Sequence, residues 1–526
     1  MGFRFSAVCF LSLCFAVSAA GQSGFCDFSF TKDTDVFLNI ANPAALSALK
    51  GKLSYAELSY GMQDGAMVSL NESPDSWDIT AGTESFCRVS DNLTFHGKLS
   101  WSEFQGKKMG GQILMTPDYN PVNFLENSDV NPGTKTRELY DFLGEMAVPF
   151  GERWSAGVGM YYEAGDYTKI KDPRFSSIWM DMELKAGVMF RSSEKLAISA
   201  ALSWRNTLEQ VKGHIYGNME KQYYVSTDKG GFWGTVADLA GDYNYMPETT
   251  RRPMNNNWIS ASLQAIAGES FTSGLTFSLR DGYYGKKSST SPTMFEFSGI
   301  RVDYDALLLL HSGENMQRVA LSMAYSSLSN NENLYRYTTP AGGNTIVEYT
   351  GKNHVMDRSV VDASLDYRWY NDITGYKPDF TLGVSTIFKL MSQKAILYPL
   401  FRRQSIGHIN LELFANKTFD AMDGLLDVGL SLSGYSGFGT KKDDGAYAST
   451  TSTSIVSFDS YLDRQFEFET AARAGVGVEL TYTRIISQKF APYVKISDNF
   501  LSLLSKPEYL DGATRNVALL TLGCNF

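Results

Sequence analysis

Past its first 21 residues the chain contains no apolar run of 18 or more residues, so no membrane-crossing helix is expected. Cysteine is scarce, at five in 526 residues. Cys26, Cys87 and Cys524 are the three beyond the N-terminal leader, far apart and without metal-ligand spacing, which excludes a disulfide framework. The five histidines, His96, His214, His311, His354 and His408, are isolated, with no His-x-x-x-His or His-x-Glu spacing. No metal and no cofactor is expected. No basic block occurs: 47 Lys and Arg are mixed among 57 Asp and Glu for a net charge of −10, which excludes nucleic acid as a partner. Catalytic motifs are missing as well. Gly157-Val158-Gly159 and Gly475-Val476-Gly477 lack the third glycine of a nucleotide loop, and they read as close strand packing. In Gly434-Tyr435-Ser436-Gly437-Phe438, Phe438 stands where a serine-hydrolase elbow needs glycine. No enzyme is expected, with a hydrolase as the minor alternative. His96 and His408, beside Lys98 and Glu412, read as members of a hydrogen-bond network.

Glycine (46) and aromatics (29 Tyr, 33 Phe, 8 Trp) are plentiful, and proline is low at 15. Apolar residues recur at every second position in segments of about ten residues. Leu196, Ile198, Ala200, Leu202 and Trp204 alternate with Ser199, Ala201, Ser203 and Arg205. Ile259, Ala261, Leu263 and Ala265 alternate with Ser260, Ser262 and Gln264, and Leu426 to Leu432 alternate with Asp427 to Ser433. Eighteen such segments lie between residues 52 and 526. Short turns (89–92, 150–153, 192–195, 268–271, 487–490) alternate with long connectors (106–136, 213–255, 328–357, 438–468). One face apolar and the other polar, with short turns on one rim and long loops on the other, is the pattern of a barrel in lipid. The expected fold is all-β: a transmembrane antiparallel up-and-down β-barrel of about 16–18 strands, with 14 left open. Cys87 and Cys524 fall on its lipid-facing parity.

Both ends agree with export. Met1 to Arg4 is a positive start, Phe5 to Val17 is apolar, and Ser18-Ala19-Ala20-Gly21 supplies small residues for cleavage, which reads as a Sec-type signal peptide over 1–21. Residues 22–51 form an N-terminal periplasmic or plug segment, and 52–526 form the barrel. In Ile40 to Gly51, Asn42 can cap a short helix, Pro43 suits its first position and Gly51 can end it, at the periplasmic mouth. The final strand places Ala518, Leu520, Leu522, Cys524 and Phe526 on one parity. This strand resembles the terminal β-signal of bacterial outer-membrane barrels, which implies recognition of Leu520, Leu522 and Phe526 by the barrel-insertion machinery. Asn42-Pro43-Ala44-Ala45-Leu46 is similar to the N-terminal motif of the FadL-type fatty-acid transporters, whose barrels have 14 strands. The rest of the chain resembles uncharacterised outer-membrane barrel families of Gram-negative bacteria. Outer-membrane location, with lipid and the insertion machinery as partners, is what these resemblances imply.

The polar parity carries charges of both signs: Glu145, Glu163, Glu183, Lys185, Arg205, Arg280, Asp362, Asp366, Arg368, Glu412, Asp427 and Glu479. Facing a lumen, they would set ion selectivity in a wide pore or pair across strands in a narrow or plugged one, and their alternation in sign favours pairing. The function expected is a channel or transporter for a small solute, a hydrophobic one included. The rival is a non-transporting barrel that docks partner proteins through its long loops.

Overall fold

The computed structural model describes residues 27–49, 51–117, 120–126, 131–217, 223–239, 251–373, 377–449, 455–487 and 490–526. The expected signal peptide lies outside them. Eighteen strands form one antiparallel sheet: β1 (Lys52–Asp64), β2 (Asp75–Ser90), β3 (Leu93–Met109), β4 (Gly133–Phe150), β5 (Trp154–Lys169), β6 (Arg174–Ser193), β7 (Leu196–His214), β8 (Arg252–Ala267), β9 (Phe271–Gly285), β10 (Thr293–Ser312), β11 (Asn315–Thr338), β12 (Ile346–Ile373), β13 (Pro378–Leu397), β14 (Leu400–Ala421), β15 (Gly424–Ala446), β16 (Arg473–Arg484), β17 (Ala491–Leu503) and β18 (Thr514–Asn525). Each pairs with its neighbours in sequence, and β18 closes on β1 in the register Tyr55↔Asn525 to Asp64↔Asn516. Closure leaves no edge strand, so every wall amide can pair without water.

The outward parity is apolar and exposed: Leu202, Ile259, Leu263, Leu279, Leu430 and Leu432 are each more than half exposed. Tyr60, Tyr140, Tyr162 and Tyr325 lie toward the long-connector end of this band, and Phe150, Trp154 and Phe419 lie beside the short turns. The two girdles stand about eight to ten residues apart along the strands. At roughly 3.3 Å per residue and 35–45° tilt, that matches the ~25 Å apolar height of an outer-membrane barrel.

The expected fold needs correction in three respects. The barrel has eighteen strands, which replaces the 16–18 range and rules out 14. It is not a bare up-and-down barrel with one short helix. A helix α1 (Phe28–Thr34) precedes the expected one, and the latter is a 3₁₀ turn, Pro43–Ala48, closed by i,i+3 bonds such as Leu49 N–H to Leu46 O at 3.1 Å. Third, the connectors are largely structured. Residues 328–357 continue β11 and β12, which reach 24 and 28 residues. The stretch Arg252–Asn255 is the start of β8, and 438–468 ends in a helix α2 (Asp459–Thr470). Beyond the bilayer no lipid enforces strict alternation, so the pattern that marks a strand fades there while pairing persists.

Candidate functional site

Three features occupy the lumen: a plug at the short-turn end, a lid at the other, and a chamber between them. The plug is the segment from Asp27 to Leu49. Asp27 caps α1, its carboxylate accepting the Phe30 N–H at 2.9 Å. Phe28, Leu46 and Leu49 bury against Leu53, Phe86 and Ala147 of the wall, while Val36, Ala44 and Ala45 bury against Met189, Ile266, Leu307, Leu309 and Tyr370. Asn42 caps the 3₁₀ turn with its oxygen and donates its amide to Val188 O (3.2 Å) and Ala200 O (3.0 Å) on β6 and β7. Inward-facing glycines make room for this contact. A Cβ on Gly187 would overlap the Asn42 amide, and one on Gly157 would overlap the Pro43–Ala44 backbone. The close packing expected at Gly157 is thus packing against the plug.

Two adjacent residues of α1 tie it to separate walls. Lys32 reaches Glu84 on β2 at 2.6 Å; Glu84 bonds His96 Nε2 (3.0 Å), whose Nδ1 meets Glu145 at 2.8 Å and whose ring stacks on Phe86. Asp33 reaches Arg368 on β12 at 2.6 Å and offers its carbonyl to Arg318 (2.9 Å), both arginines also holding Asp366.

The lid is a second antiparallel sheet built from connectors: Gly111–Gln112, Asn123–Glu126, Tyr224–Asp228, Trp233–Asp238 and Val456–Ser457. Its Phe124 and Val225 pack with Tyr284, Phe295, Phe297, Leu328 and Met356 from the upper barrel wall. Polar anchors fix it around the rim. Glu126, fully buried, pairs with Lys169 and with Lys135 (3.3 Å). Arg402, 2% exposed, holds Asp444 at 2.7 Å, the Gly231 carbonyl at 3.2 Å and the Trp233 ring. Glu209, also fully buried on β7, accepts four hydrogen bonds: Met115 N–H (2.6 Å), Thr116 Oγ1 (2.6 Å), Ser177 Oγ (2.7 Å) and Asn120 Nδ2 (3.2 Å). Burial pushes the Asp228 carboxyl up, opposed by the Gly230 and Trp233 N–H groups it accepts. Helix α2 completes the lid. Its Glu467 gathers the N–H groups of Glu508, Tyr509 and Leu510.

Between plug and lid lies a cavity of about 190 Å³ against β6–β10, with Ala41 of the plug at its margin. Lys185, Arg205 and Arg301 line it, and each has a carboxylate: Glu183 at 3.8 Å, Asp181 at 2.6 Å and Asp303 at 2.7 Å. The Trp258 ring lies between the Arg205 and Arg280 guanidiniums, at 5.4 and 4.9 Å.

The charge row is therefore distributed, not gathered. Glu183, Lys185 and Arg205 line the chamber, with Arg280 just above it bonding Asn256 at 3.0 Å. Glu145, Asp366 and Arg368 belong to the plug ties. Glu163 accepts from Trp179 at 2.6 Å, Glu479 pairs with Lys495 at 2.6 Å, and Asp427 pairs with Lys377. Asp362 stands in register with Lys389, and Glu412 with Ser385 and Ser433. Leu520 and Leu522 face lipid, and the Phe526 N–H donates to Ser54 O at 2.9 Å with its ring under the Lys52 ammonium. The sequence reading missed Asp181, Trp258 and Glu209. All three continue inward parities already visible at Glu183, Ser260 and Arg205, so extending each row would have found them. Lys32 and Asp33 carry no such signal.

Residues 43–526 match the model of a family of unknown function, DUF6850. No curated protein matches the sequence. Among solved structures the chain is similar to the ferric preacinetobactin receptor BauA of Acinetobacter baumannii (7% identity, TM-score 0.40, 90% of this chain and 80% of that one). It is similar also to the outer-membrane transporter YddB of Escherichia coli (8%, 0.40, 90% and 80%) and to the RagAB peptide importer (8%, 0.37, 90% and 75%).

Proposed function

We propose, starting from the fact that this chain belongs to the family of unknown function DUF6850, that it is a gated outer-membrane conduit for a small polar solute. The observation that supports this is that two lengths of the chain pack inside the barrel wall, with a polar chamber between them. A barrel that served only as an anchor would have no need of a polar compartment set between two segments of its own chain. The FadL-like motif left a hydrophobic solute open, but the polar side chains of the chamber are charge pairs and hydroxyls, which favour a polar occupant. Asn42 and Pro43 act here as the plug's fastening to β6 and β7.

Planar-bilayer conductance tests the reading. A chain lacking residues 27–49 and carrying Glu209→Ala should form steady channels, while the intact chain stays closed. A double variant that folds, by heat-modifiable gel migration, yet carries no current sinks the proposal. The docking rival rests on the ribbon beyond Glu332 and Met356, where β11 and β12 leave their other wall partners. Specific capture of a partner protein that is lost on shortening residues 333–355 would favour it.

A further inference from the structure

We infer that the chamber on β6–β10 is a binding site for a neutral polyhydroxylated solute of about hexose size; this rests on the conduit reading and names its cargo. The argument begins with charge. Three basic and two acidic side chains line the chamber, and each base already holds an acid: Lys185 with Glu183, Arg301 with Asp303, and Arg205 with Asp181, which stands outside the lining. A carboxylate entering the site would meet a repelling carboxylate beside each cation, and an ammonium a repelling cation beside each carboxylate, so neither gains the attraction of a free counter-charge. A neutral solute leaves all three intact. It can accept from guanidinium and ammonium N–H groups and donate to carboxylates in the same visit, because paired charges keep unused donors and acceptors.

The remaining polar wall is hydroxyl. Ser203, Ser260, Ser262, Thr276 and Ser278 face the cavity from three adjacent strands. Ser260 and Ser278 bond each other at 2.8 Å, which leaves each oxygen further capacity. Hydroxyls both donate and accept, so they match a solute that does the same at every carbon. The rest of the lining, about half of its surface, is apolar, from Ala41, Ala201, Leu202 and the carbon stems of the charged side chains, and it suits the C–H faces of a sugar ring. The Trp258 ring is only 8% exposed and has guanidiniums close by, so it adds little to that area. Size sets the last limit: about 190 Å³ falls below the ~300–1,000 Å³ of pockets for drug-sized ligands, so the occupant is a single small ring with its water. The Arg205 and Arg301 side chains are 38% and 45% exposed, so the chamber communicates with lumen water.

Calorimetric titration of the full chain in lipid nanodiscs, with glucose, gluconate and glycylglycine as neutral, anionic and zwitterionic probes of similar size, decides the matter. Saturable glucose binding, tighter than either charged probe, is expected. Ser260→Leu should weaken it about tenfold or more, while Ser260→Thr retains it, both variants keeping heat-modifiable migration. Tighter binding of gluconate or glycylglycine, no glucose binding, or glucose binding indifferent to Ser260→Leu would each overturn the assignment. The conduit reading is tested apart from this, by flux through the unplugged, unlatched variant. Glucose binding without flux would leave the site standing and remove transport. Flux without preference for the neutral probe would do the reverse.

Discussion

Glu209 shows how one side chain can hold a loop that hydrophobic packing alone would leave loose. Its carboxylate is fully buried and satisfied by donors from β6 and from the connector after β3. Removing it strands those donors, at about 1–3 kcal/mol for each one that stays buried and unpaired. Glu209→Ala should therefore lower amide-exchange protection over residues 113–126, while the wall strands exchange as before. Unchanged protection there would mean that the apolar lid core suffices. Gly187 is the counterpart at the other end. Valine at that position would push the Asn42 amide off β6, so Gly187→Val should raise exchange over Val36–Leu49. Valine at Gly268, a turn glycine whose Cβ would touch nothing, separates this effect from strain, because its φ of 61° disfavours any side chain without moving the plug. Equal exchange in the two variants would count against the fastening.

At the scale of elements, the strands were legible, while the lid and the ties of the N-terminal segment to the wall were not. Each of the eighteen alternating segments falls on one wall strand, because lipid on one side and water on the other enforce the period of two. Inward charges such as Arg205 and Glu183 were legible for the same reason. The lid was not, since strands of two to six residues drawn from connectors a hundred residues apart have no local period, and their pairing is decided by burial against Phe295 and Tyr284. Helix α1 left one trace, Asp27 as its cap, but its destinations, Glu84 and Arg368, lie 52 and 335 residues away along the chain. The opposite signs of Lys32 and Asp33 hold the helix between two walls. Lys32→Ala leaves Glu84 with His96 alone, and Asp33→Ala leaves Arg368 with Asp366. Each should loosen α1 as read by exchange over residues 28–38. The double variant should loosen it by more than either single one. A double variant no looser than Asp33→Ala would show that β12 carries the helix by itself.

At the scale of the whole molecule, plug and lid are fixed to the wall by separate anchor sets that share one strand. Along β7, the Ala200 carbonyl holds the plug, Ser203 and Arg205 line the chamber, and Glu209 holds the lid. On the proposed conduit reading, the two closures stand one behind the other on a single path, as resistors do in series, and in series the larger resistance sets the current. Gly187→Val alone and Glu209→Ala alone should each leave the barrel nearly as silent as the unaltered chain. The two together should conduct far more than their separate effects multiply to. Such synergy makes either gate invisible to one-at-a-time mutagenesis, and it lets a cell lose one closure without leaking. A large current from either single variant would show that one gate seals nothing.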